Sequence, residues 1–337
     1  MTLREAIHLL VERIDLSEDE MASCMAEIME GGSTDAQIGA FLTALRMKGE
    51  TAGEIAGAVR IMRAKALRIA APQGVIDTCG TGGDMSGTFN ISTTTAIVVA
   101  AAGVPVAKHG NRSVSSRSGS ADVLEALGIK IDLPPEKVEK CLFETSFGFL
   151  FAPLFHPAMK FAVGPRRELG VRTIFNVLGP LTNPAGARRQ IVGVFSAGLT
   201  DVLAEVLGSV GADDAMVIHG EDGLDEVTIC DGTRVSRFRQ GTIETFYLTP
   251  EDFGFARADV SSLVGGDGEK NAGITTGVLK GEKGPKRDIV LMNASAALVV
   301  AGLTESFRTA RDIAAEAIDS GKAAGKVEEI RRVTNTL

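Results

Sequence analysis

The sequence has very few aromatic residues: no tryptophan, one tyrosine, and 5% aromatic residues in total. Proteins that bind single-stranded nucleic acid usually stack bases on aromatic side chains, so this composition argues against such a surface. A formal net charge of -8 also argues against a nucleic-acid partner, unless basic residues gather in one cleft. The 39 glycines among 337 residues instead favour an α/β protein with many tight turns.

Cysteines and long apolar runs are also scarce. The four cysteines form no CxxC pair, which argues against a zinc site or a disulfide framework and favours a reducing cytosol. The longest apolar run, residues 96–107, is shorter than the roughly 20 residues of a membrane-spanning helix. An amphipathic segment starts the chain directly. We therefore expect no signal peptide, no membrane partner and a cytoplasmic location.

The length predicts about two domains. Residues 1–70 carry helical patterns only, with apolar residues at helical spacing from Leu3 to Ile14. Three capping-box pairs then precede apolar segments: Ser17 with Glu20, Thr34 with Gln37, and Thr51 with Glu54. Pro72 and Gly74 end this unit. The pattern predicts a helical domain over residues 1–70.

From residue 74 to residue 337, short apolar strand candidates alternate with helical segments. The strand candidates are residues 75–77, 104–107, 147–152, 190–195 and 215–218. Helix candidates include residues 92–102, 120–127 with Ser120 as the cap, 199–207, 296–301 and 308–317. Residues 234–248 alternate more polar strands and predict an antiparallel annex. The fold class is therefore α/β, with a mostly parallel central sheet covered on both faces.

A glycine-rich turn, Gly80-Thr81-Gly82-Gly83-Asp84, follows the first predicted strand. Ligands of open α/β sheets bind beyond the carboxyl ends of strands, and glycines let backbone N–H groups approach phosphate oxygens. The turn lacks the lysine of a Walker loop. Met85 and Lys108 stand where a dinucleotide site needs a small residue and an acid. A phosphate cradle without a nucleotide cofactor and a helix cap with a tight turn both stay open.

A basic loop follows the second predicted strand, with Lys108, Arg112 and Arg117 interleaved with glycines and serines. This composition favours a second anion-binding segment over a solvated basic loop. His109 lies within it, and we expect electrostatic support of catalysis from Lys108 and His109.

Two adjacent acids, Asp225 and Glu226, follow the last parallel strand candidate. Acid pairs on a surface are usually only solvated. Mg²⁺, however, typically bridges one or two carboxylates to substrate phosphates. Because this pair is predicted at the same sheet edge as the glycine turn, we favour a metal site.

These motifs, in this order and spacing, resemble those of anthranilate phosphoribosyltransferases over nearly the whole chain. The matching segments are residues 77–94, 108–112, 118–122, 156–160, 172–184 and 223–226. The resemblance implies a small helical domain hinged to a larger α/β domain, with a returning helical segment near residues 160–185, and a homodimer formed through the helical domain. It also implies transfer of phosphoribosyl from phosphoribosyl pyrophosphate (PRPP) to anthranilate, the second step of tryptophan biosynthesis from chorismate.

The resemblance further implies ligand contacts residue by residue. For PRPP these are Gly80, Gly83, Asp84, Thr88, Asn90, Ile91, Ser92, Thr93, Lys108, His109, Gly110, Asn111, Arg112, Ser113, Val114, Ser115, Ser116 and Ser120. For anthranilate they are Gly80, Asn111 and Arg166, and for Mg²⁺ they are Ser92, Asp225 and Glu226. A pyrimidine nucleoside phosphorylase and a nucleic-acid-binding relative of the same fold are the alternatives. The motifs at 172–184 and 223–226 argue against the first, and the acidic composition argues against the second.

Overall fold

The computed structural model describes residues 1–84, 86–113 and 117–337. Four helices come first: α1 (Leu3–Val11), α2 (Glu18–Met29), α3 (Asp35–Lys48) and α4 (Ala52–Lys65). Each of α2, α3 and α4 begins at its predicted capping box, in which two backbone N–H groups are satisfied reciprocally. The prediction of a helical N-terminal unit is confirmed.

Seven strands form one sheet in the order β3-β2-β1-β4-β5-β6-β7. They are β1 (Ile76–Gly80), β2 (Val106–Gly110), β3 (Phe147–Phe151), β4 (Arg189–Gly193), β5 (Asp214–Gly220), β6 (Thr233–Arg239) and β7 (Thr242–Leu248). The first five are parallel, and β6 and β7 are antiparallel. The predicted α/β class and its antiparallel annex are confirmed.

Eleven further α-helices lie between and after the strands in the part of the chain described. They are α5 (Ile91–Ala101), α6 (Ser120–Ala126), α7 (Pro135–Thr145), α8 (Ala152–Phe155), α9 (Lys160–Leu169), α10 (Phe175–Leu181), α11 (Leu199–Ser209), α12 (Gly268–Leu279), α13 (Pro285–Val300), α14 (Phe307–Asp319) and α15 (Lys322–Thr336). Helix α9 packs on α2 and α3, and α10 packs on α4. No helix among the described residues is long and apolar enough to cross a membrane.

Two large apolar cores cover the two faces of the sheet. One contains buried side chains of α5, α13, α14 and α15. The other joins α1–α4 to α10, α11 and the opposite face of β4 and β5. Arg63 of α4 reinforces this connection, since its guanidinium donates to the carbonyls of Leu181 and Val210, both at 2.8 Å. The helical unit is therefore packed directly against the sheet layer.

Several predicted boundaries are wrong near the carboxyl edge of the sheet. Strand β1 continues to Gly80 and β5 to Gly220, past their predicted ends at residues 77 and 218. Strand β2 continues to Gly110, so Lys108 and His109 lie inside the strand rather than after it. Helix α6 begins at Ser120 with Gly119, not Ser120, as its N-cap. The Asp122 carboxylate accepts the Gly119 N–H at 2.8 Å and performs the capping. The Ser120 hydroxyl instead donates to the carbonyl of Asn111 at 3.3 Å, toward the basic loop.

Candidate active site

The candidate site lies where the order of the parallel strands reverses. Strands β1 and β4 are neighbours, and their last residues, Gly80 and Gly193, are paired in register. From β1 the chain order runs outward to β2 and β3, and from β4 it runs the other way to β5. The crevice outside the carboxyl ends at such a reversal is the usual ligand site of open α/β sheets.

Asp225 fills the space directly above these two paired glycines. A Cβ atom on Gly80 would lie 2.3 Å from Asp225 Oδ2, and one on Gly193 would lie 1.7 Å from the Asp225 carbonyl oxygen. Asp225 Oδ2 also accepts the Gly82 N–H at 2.9 Å. Glycine is therefore required at both strand ends by the close approach of the acidic loop.

The glycine turn contains backbone N–H groups that have no acceptor among the described residues. Gly82 and Gly83 have φ of 65° and 78°, a left-handed conformation that favours glycine. In the described chain, the N–H groups of Gly83 and Asp84 have no acceptor, nor does that of Thr93 in the first turn of α5. Successive unpartnered amides beside a helix N-terminus form an arrangement suited to phosphate oxygens.

Glu226, Ser92 and Lys108 meet beside this turn. Glu226 Oε1 accepts the Ser92 N–H at 3.0 Å. The Lys108 side chain is fully buried, and its amine donates to the Thr78 carbonyl and to Ser92 Oγ at 3.4 Å. A buried ammonium, a hydroxyl and the Glu226 carboxylate thus meet next to Asp225.

The acid pair carries an excess of negative charge that a cation would relieve. Burial, and next the charge of Asp84, raise the pKa of Asp225 to about 7. Burial, and next Asp225, raise the pKa of Glu226 well above its usual value. No group of three or more acids, histidines or cysteines forms a complete metal cage in the described ranges. This donor set fits Mg²⁺, which keeps several waters and takes further oxygens from bound phosphates.

Arg112 of the basic loop is held by acids of α6. Arg112 forms ion pairs with Asp122 at 2.9 Å and Glu125 at 2.8 Å. Hydrogen bonds to Glu125 and then Asp122 raise the pKa of Arg112. A phosphate at this loop must therefore compete with, or share, those two carboxylates. The predicted contacts Val114, Ser115 and Ser116 lie outside the described residues.

Asn90 connects the start of α5 with two other segments. Its Oδ1 accepts from Ser118 Oγ at 3.1 Å and from Asn271 Nδ2 at 2.8 Å, and its Nδ2 donates to the Ser118 carbonyl. Thr88 forms a bridge with Val264 in the segment before α12. These contacts hold Thr88 and Asn90 against the body of the domain.

His109 and His156 form a buried pair with ring centroids 5.0 Å apart. Burial, and next His156, lower the pKa of His109 to about 3, and burial lowers the pKa of His156 to about 4. His109 Nδ1 lies 2.9 Å from the carbonyl of Gly179, which only accepts, so Nδ1 carries the proton. At neutral pH both rings are uncharged. Any support that His109 provides is that of an oriented neutral ring rather than of a cation.

Arg166 lies in the last turn of α9, beside the ring of Phe175 at 5.1 Å from its centroid. Burial lowers the pKa of Arg166. Its guanidinium has neither a carboxylate partner nor a hydrogen bond among the residues described. A half-buried arginine without a partner is suited to bidentate binding of a ligand carboxylate.

Comparison with known proteins identifies the family. Residues 4–66 match the helical bundle domain of a glycosyl transferase family, and residues 72–324 match its a/b domain. Anthranilate phosphoribosyltransferase of Acetivibrio thermocellus is 54% identical over 99% of this chain and 97% of its own length. That of Thioalkalivibrio sulfidiphilus is 55% identical over 98% of both chains. The chain belongs to the anthranilate phosphoribosyltransferase family.

Solved structures of the anthranilate phosphoribosyltransferase family share the whole architecture. The Thermus thermophilus enzyme superposes with a TM-score of 0.92 at 42% identity, covering 98% of this chain and 99% of its own. The Saccharomyces cerevisiae enzyme in complex with PRPP and Mg gives 0.91 at 29% identity, covering 99% of this chain and 98% of that chain.

The structure gathers most of the predicted ligand residues at this one edge and adds four that the sequence analysis does not single out. The additional residues are Asp77, Asn183, Asn271 and Arg172. Asp77 is fully buried, accepts the His109 N–H at 3.2 Å, and accepts from Asn183 at 2.7 Å. Asp77, Asn183 and Arg172 lie within the segments 77–94 and 172–184, so the polar residues of those segments are the signal that points to them. No signal in the sequence indicates Asn271.

Proposed function

We propose that this chain transfers the phosphoribosyl group of PRPP to the amine of anthranilate, giving N-(5-phosphoribosyl)anthranilate and pyrophosphate. This reaction is the second step of tryptophan biosynthesis from chorismate. The chain belongs to this family, and one observation in its structure supports the activity. Unpartnered backbone amides, the Lys108 ammonium and the Asp225–Glu226 pair converge where the strand order reverses between β1 and β4. The yeast relative is described in complex with PRPP and Mg, and also with 4-fluoroanthranilate.

The diphosphate of PRPP would lie across the glycine turn and the N-terminus of α5. The amides of Gly83, Asp84 and Thr93 would donate to its oxygens, and Lys108 would add a buried positive charge. The full predicted PRPP contact set and the anthranilate contacts Gly80, Asn111 and Arg166 remain part of this proposal. Ser92, Asp225 and Glu226 would hold Mg²⁺, which supplies charge neutralisation for the departing pyrophosphate.

The catalytic contribution of the protein is mainly positional and electrostatic. Anthranilate attacks through a neutral aromatic amine, so no strong protein base is needed, and the two buried histidines are neutral. The bond between the amine nitrogen and the anomeric carbon forms as the bond between that carbon and pyrophosphate breaks. The electron pair of the broken bond leaves with pyrophosphate, and the amine then loses one proton to solvent. The amides and Lys108 stabilise that charge because they are oriented toward it before the reaction. Packing of the helical unit against the sheet would exclude water, which could otherwise attack the ribose.

Arg166→Ala should raise the KM for anthranilate by about 10-fold or more, with little change in the KM for PRPP. A charge-assisted bond to a carboxylate contributes about 1.5–3 kcal/mol, which corresponds to that range. The measurement is steady-state kinetics with each substrate varied in turn.

Arg167→Ala is the matched control because the adjacent Arg167 is exposed and should leave both constants unchanged. A rise confined to the KM for PRPP would reject the carboxylate role of Arg166.

The proposed activity is tested directly by mixing the purified chain with PRPP, anthranilate and Mg²⁺ and following the loss of anthranilate fluorescence. Turnover that requires all three components is expected. Absence of turnover, together with phosphorolysis of a pyrimidine nucleoside by inorganic phosphate, would instead assign the chain to nucleoside phosphorylase chemistry.

We also propose a homodimer formed through the helical domain, a boundary between the two domains at residues 70–74, a returning segment near residues 160–185, and a cytoplasmic location. The dimer is supported by an apolar groove between α1, α3 and α9, lined by Val11, Ala40, Met47, Pro165 and Leu169. Val11 and Met47 are 59% and 71% exposed in the single chain.

The cytoplasmic location is supported by four cysteines that are all free thiols.

Val11→Glu combined with Met47→Glu should convert a dimer to a monomer in sedimentation velocity at micromolar concentration. Two charges placed on each copy of a closely packed apolar interface would be costly to desolvate. Val260→Glu is the control, since Val260 is also exposed but lies outside this groove. A wild-type monomer, or a double variant that stays dimeric, would contradict the assignment.

A further inference from the structure

Arg172 is a cation beside the glycine turn. It lies in the connection between α9 and α10, six residues after Arg166. Its guanidinium Nη2 donates to the carbonyl of Gly83 across 89 residues of sequence. Its Cζ lies 4.1 Å from the centroid of the Phe195 ring, just beyond the end of β4.

These contacts are unusual for a partly buried arginine. Among the described residues no carboxylate lies at ion-pair distance from Arg172, and its partners are a carbonyl and an aromatic face. The cation–π contact with Phe195 holds the guanidinium on one side while its Nη2 donates to the turn. A Cβ on Gly83 would lie 3.3 Å from Nη2, a tight contact that the guanidinium would have to shift to relieve.

The bond to Gly83 determines which way the next amide points. A trans peptide is planar, so its C=O and N–H groups point in opposite directions. Because Arg172 holds the Gly83 carbonyl on its own side, the Asp84 N–H faces away from Arg172. That N–H is one of the donors without an acceptor in the described chain.

The glycine turn is consequently held from two sides. Asp225 accepts the Gly82 N–H at 2.9 Å, and Arg172 donates to the Gly83 carbonyl. Both glycines have positive φ and would otherwise sample many backbone conformations. The same connection follows α9, which carries Arg166 and packs on α2 and α3.

We propose that Arg172 is a positioning residue that orients the Gly83–Asp84 peptide for the diphosphate group and links the glycine turn to the segment that binds the second substrate. This inference rests on the proposed function. Arg172 acts through the backbone of the turn, so its loss should weaken diphosphate binding more than anthranilate binding.

The test is calorimetric binding of inorganic pyrophosphate with Mg²⁺ to the full-length protein, combined with steady-state kinetics. Arg172→Ala should raise the Kd for pyrophosphate and the KM for PRPP by about 10-fold or more, consistent with loss of a charged hydrogen bond and its ordering effect. The KM for anthranilate should change by less than about 2-fold, because Arg172 acts on the diphosphate site. Arg172→Lys and Phe195→Leu should raise the Kd for pyrophosphate and the KM for PRPP by smaller factors. Arg172→Lys keeps a cation beside the Phe195 ring, and Phe195→Leu keeps the donor to the Gly83 carbonyl.

Arg167→Ala, on the exposed side of α9, is the control and should resemble wild type. An unchanged or lower Kd for pyrophosphate in a folded Arg172→Ala protein would overturn the inference. If Arg172→Ala does not fold, an unchanged or lower Kd for pyrophosphate in both Arg172→Lys and Phe195→Leu would overturn the inference. A wild-type protein that neither binds pyrophosphate with Mg²⁺ nor turns over PRPP would instead reject the proposed function.

Discussion

Replacing Asp225 with Asn and Glu226 with Gln should lower kcat/KM at fixed Mg²⁺ by more than about 100-fold, beyond the usual effect of losing a single supporting residue of a metal site. The two changes keep the shape of each side chain and remove the charges that bring a cation into the crevice. The Mg²⁺ concentration needed for half-maximal turnover should rise in parallel. Steady-state rates over a Mg²⁺ titration measure both effects.

Glu221→Gln is the matched control for this double variant. Glu221 is exposed in the same acidic loop, and its side chain has no bonding partner in the part of the chain described. It should keep wild-type Mg²⁺ dependence. An unchanged Mg²⁺ titration in the Asp225/Glu226 double variant would reject the assignment of these two residues as Mg²⁺ ligands. The fold should survive the double change, because neutral amides remove the cost of burying two charges, and with it the repulsion from Asp84 on position 225, which together raise the pKa of both acids.

Gly80→Ala should reduce kcat/KM by about 100-fold, the loss expected when reacting groups are displaced by about 1 Å. The added methyl group would lie 2.3 Å from Asp225 Oδ2, closer than any van der Waals contact. Asp225 would have to move, and its bond to the Gly82 N–H would move with it. Kinetics at saturating PRPP and Mg²⁺ separate a loss of kcat from a loss of binding.

Gly198→Ala is the matched control at the same edge of the sheet. Gly198 caps α11 at negative φ, and a Cβ there would meet no atom within 4 Å. That variant should retain activity and stability. If Gly80→Ala were as active as Gly198→Ala, the close approach of Asp225 to the end of β1 would not matter for the reaction.

Much of the fold follows from local sequence patterns. The capping boxes at Ser17, Thr34 and Thr51 mark where three helices begin, because a hydroxyl and an acid or amide three residues apart satisfy the same helix turn. Short apolar runs mark the buried parallel strands, because a strand covered on both faces carries apolar residues at consecutive positions. Such patterns fail at strand ends that carry function. Lys108 and His109 are polar yet belong to β2, since carbonyl groups of other segments accept from the Lys108 amine and from His109 Nδ1.

The sequence by itself determined the order of helices and strands, the glycine turn, the adjacent acids and the family to which they belong. These are properties of neighbouring residues. Tertiary structure alone decided which of them meet: Asp225 contacts the glycine turn across 143 residues, and Glu226 contacts α5 across 134. It also decided that Arg112 is paired, that His109 is neutral and that Arg172 holds the turn. Charge state and partner depend on burial and on which strand ends become neighbours, and no local spacing encodes either of them.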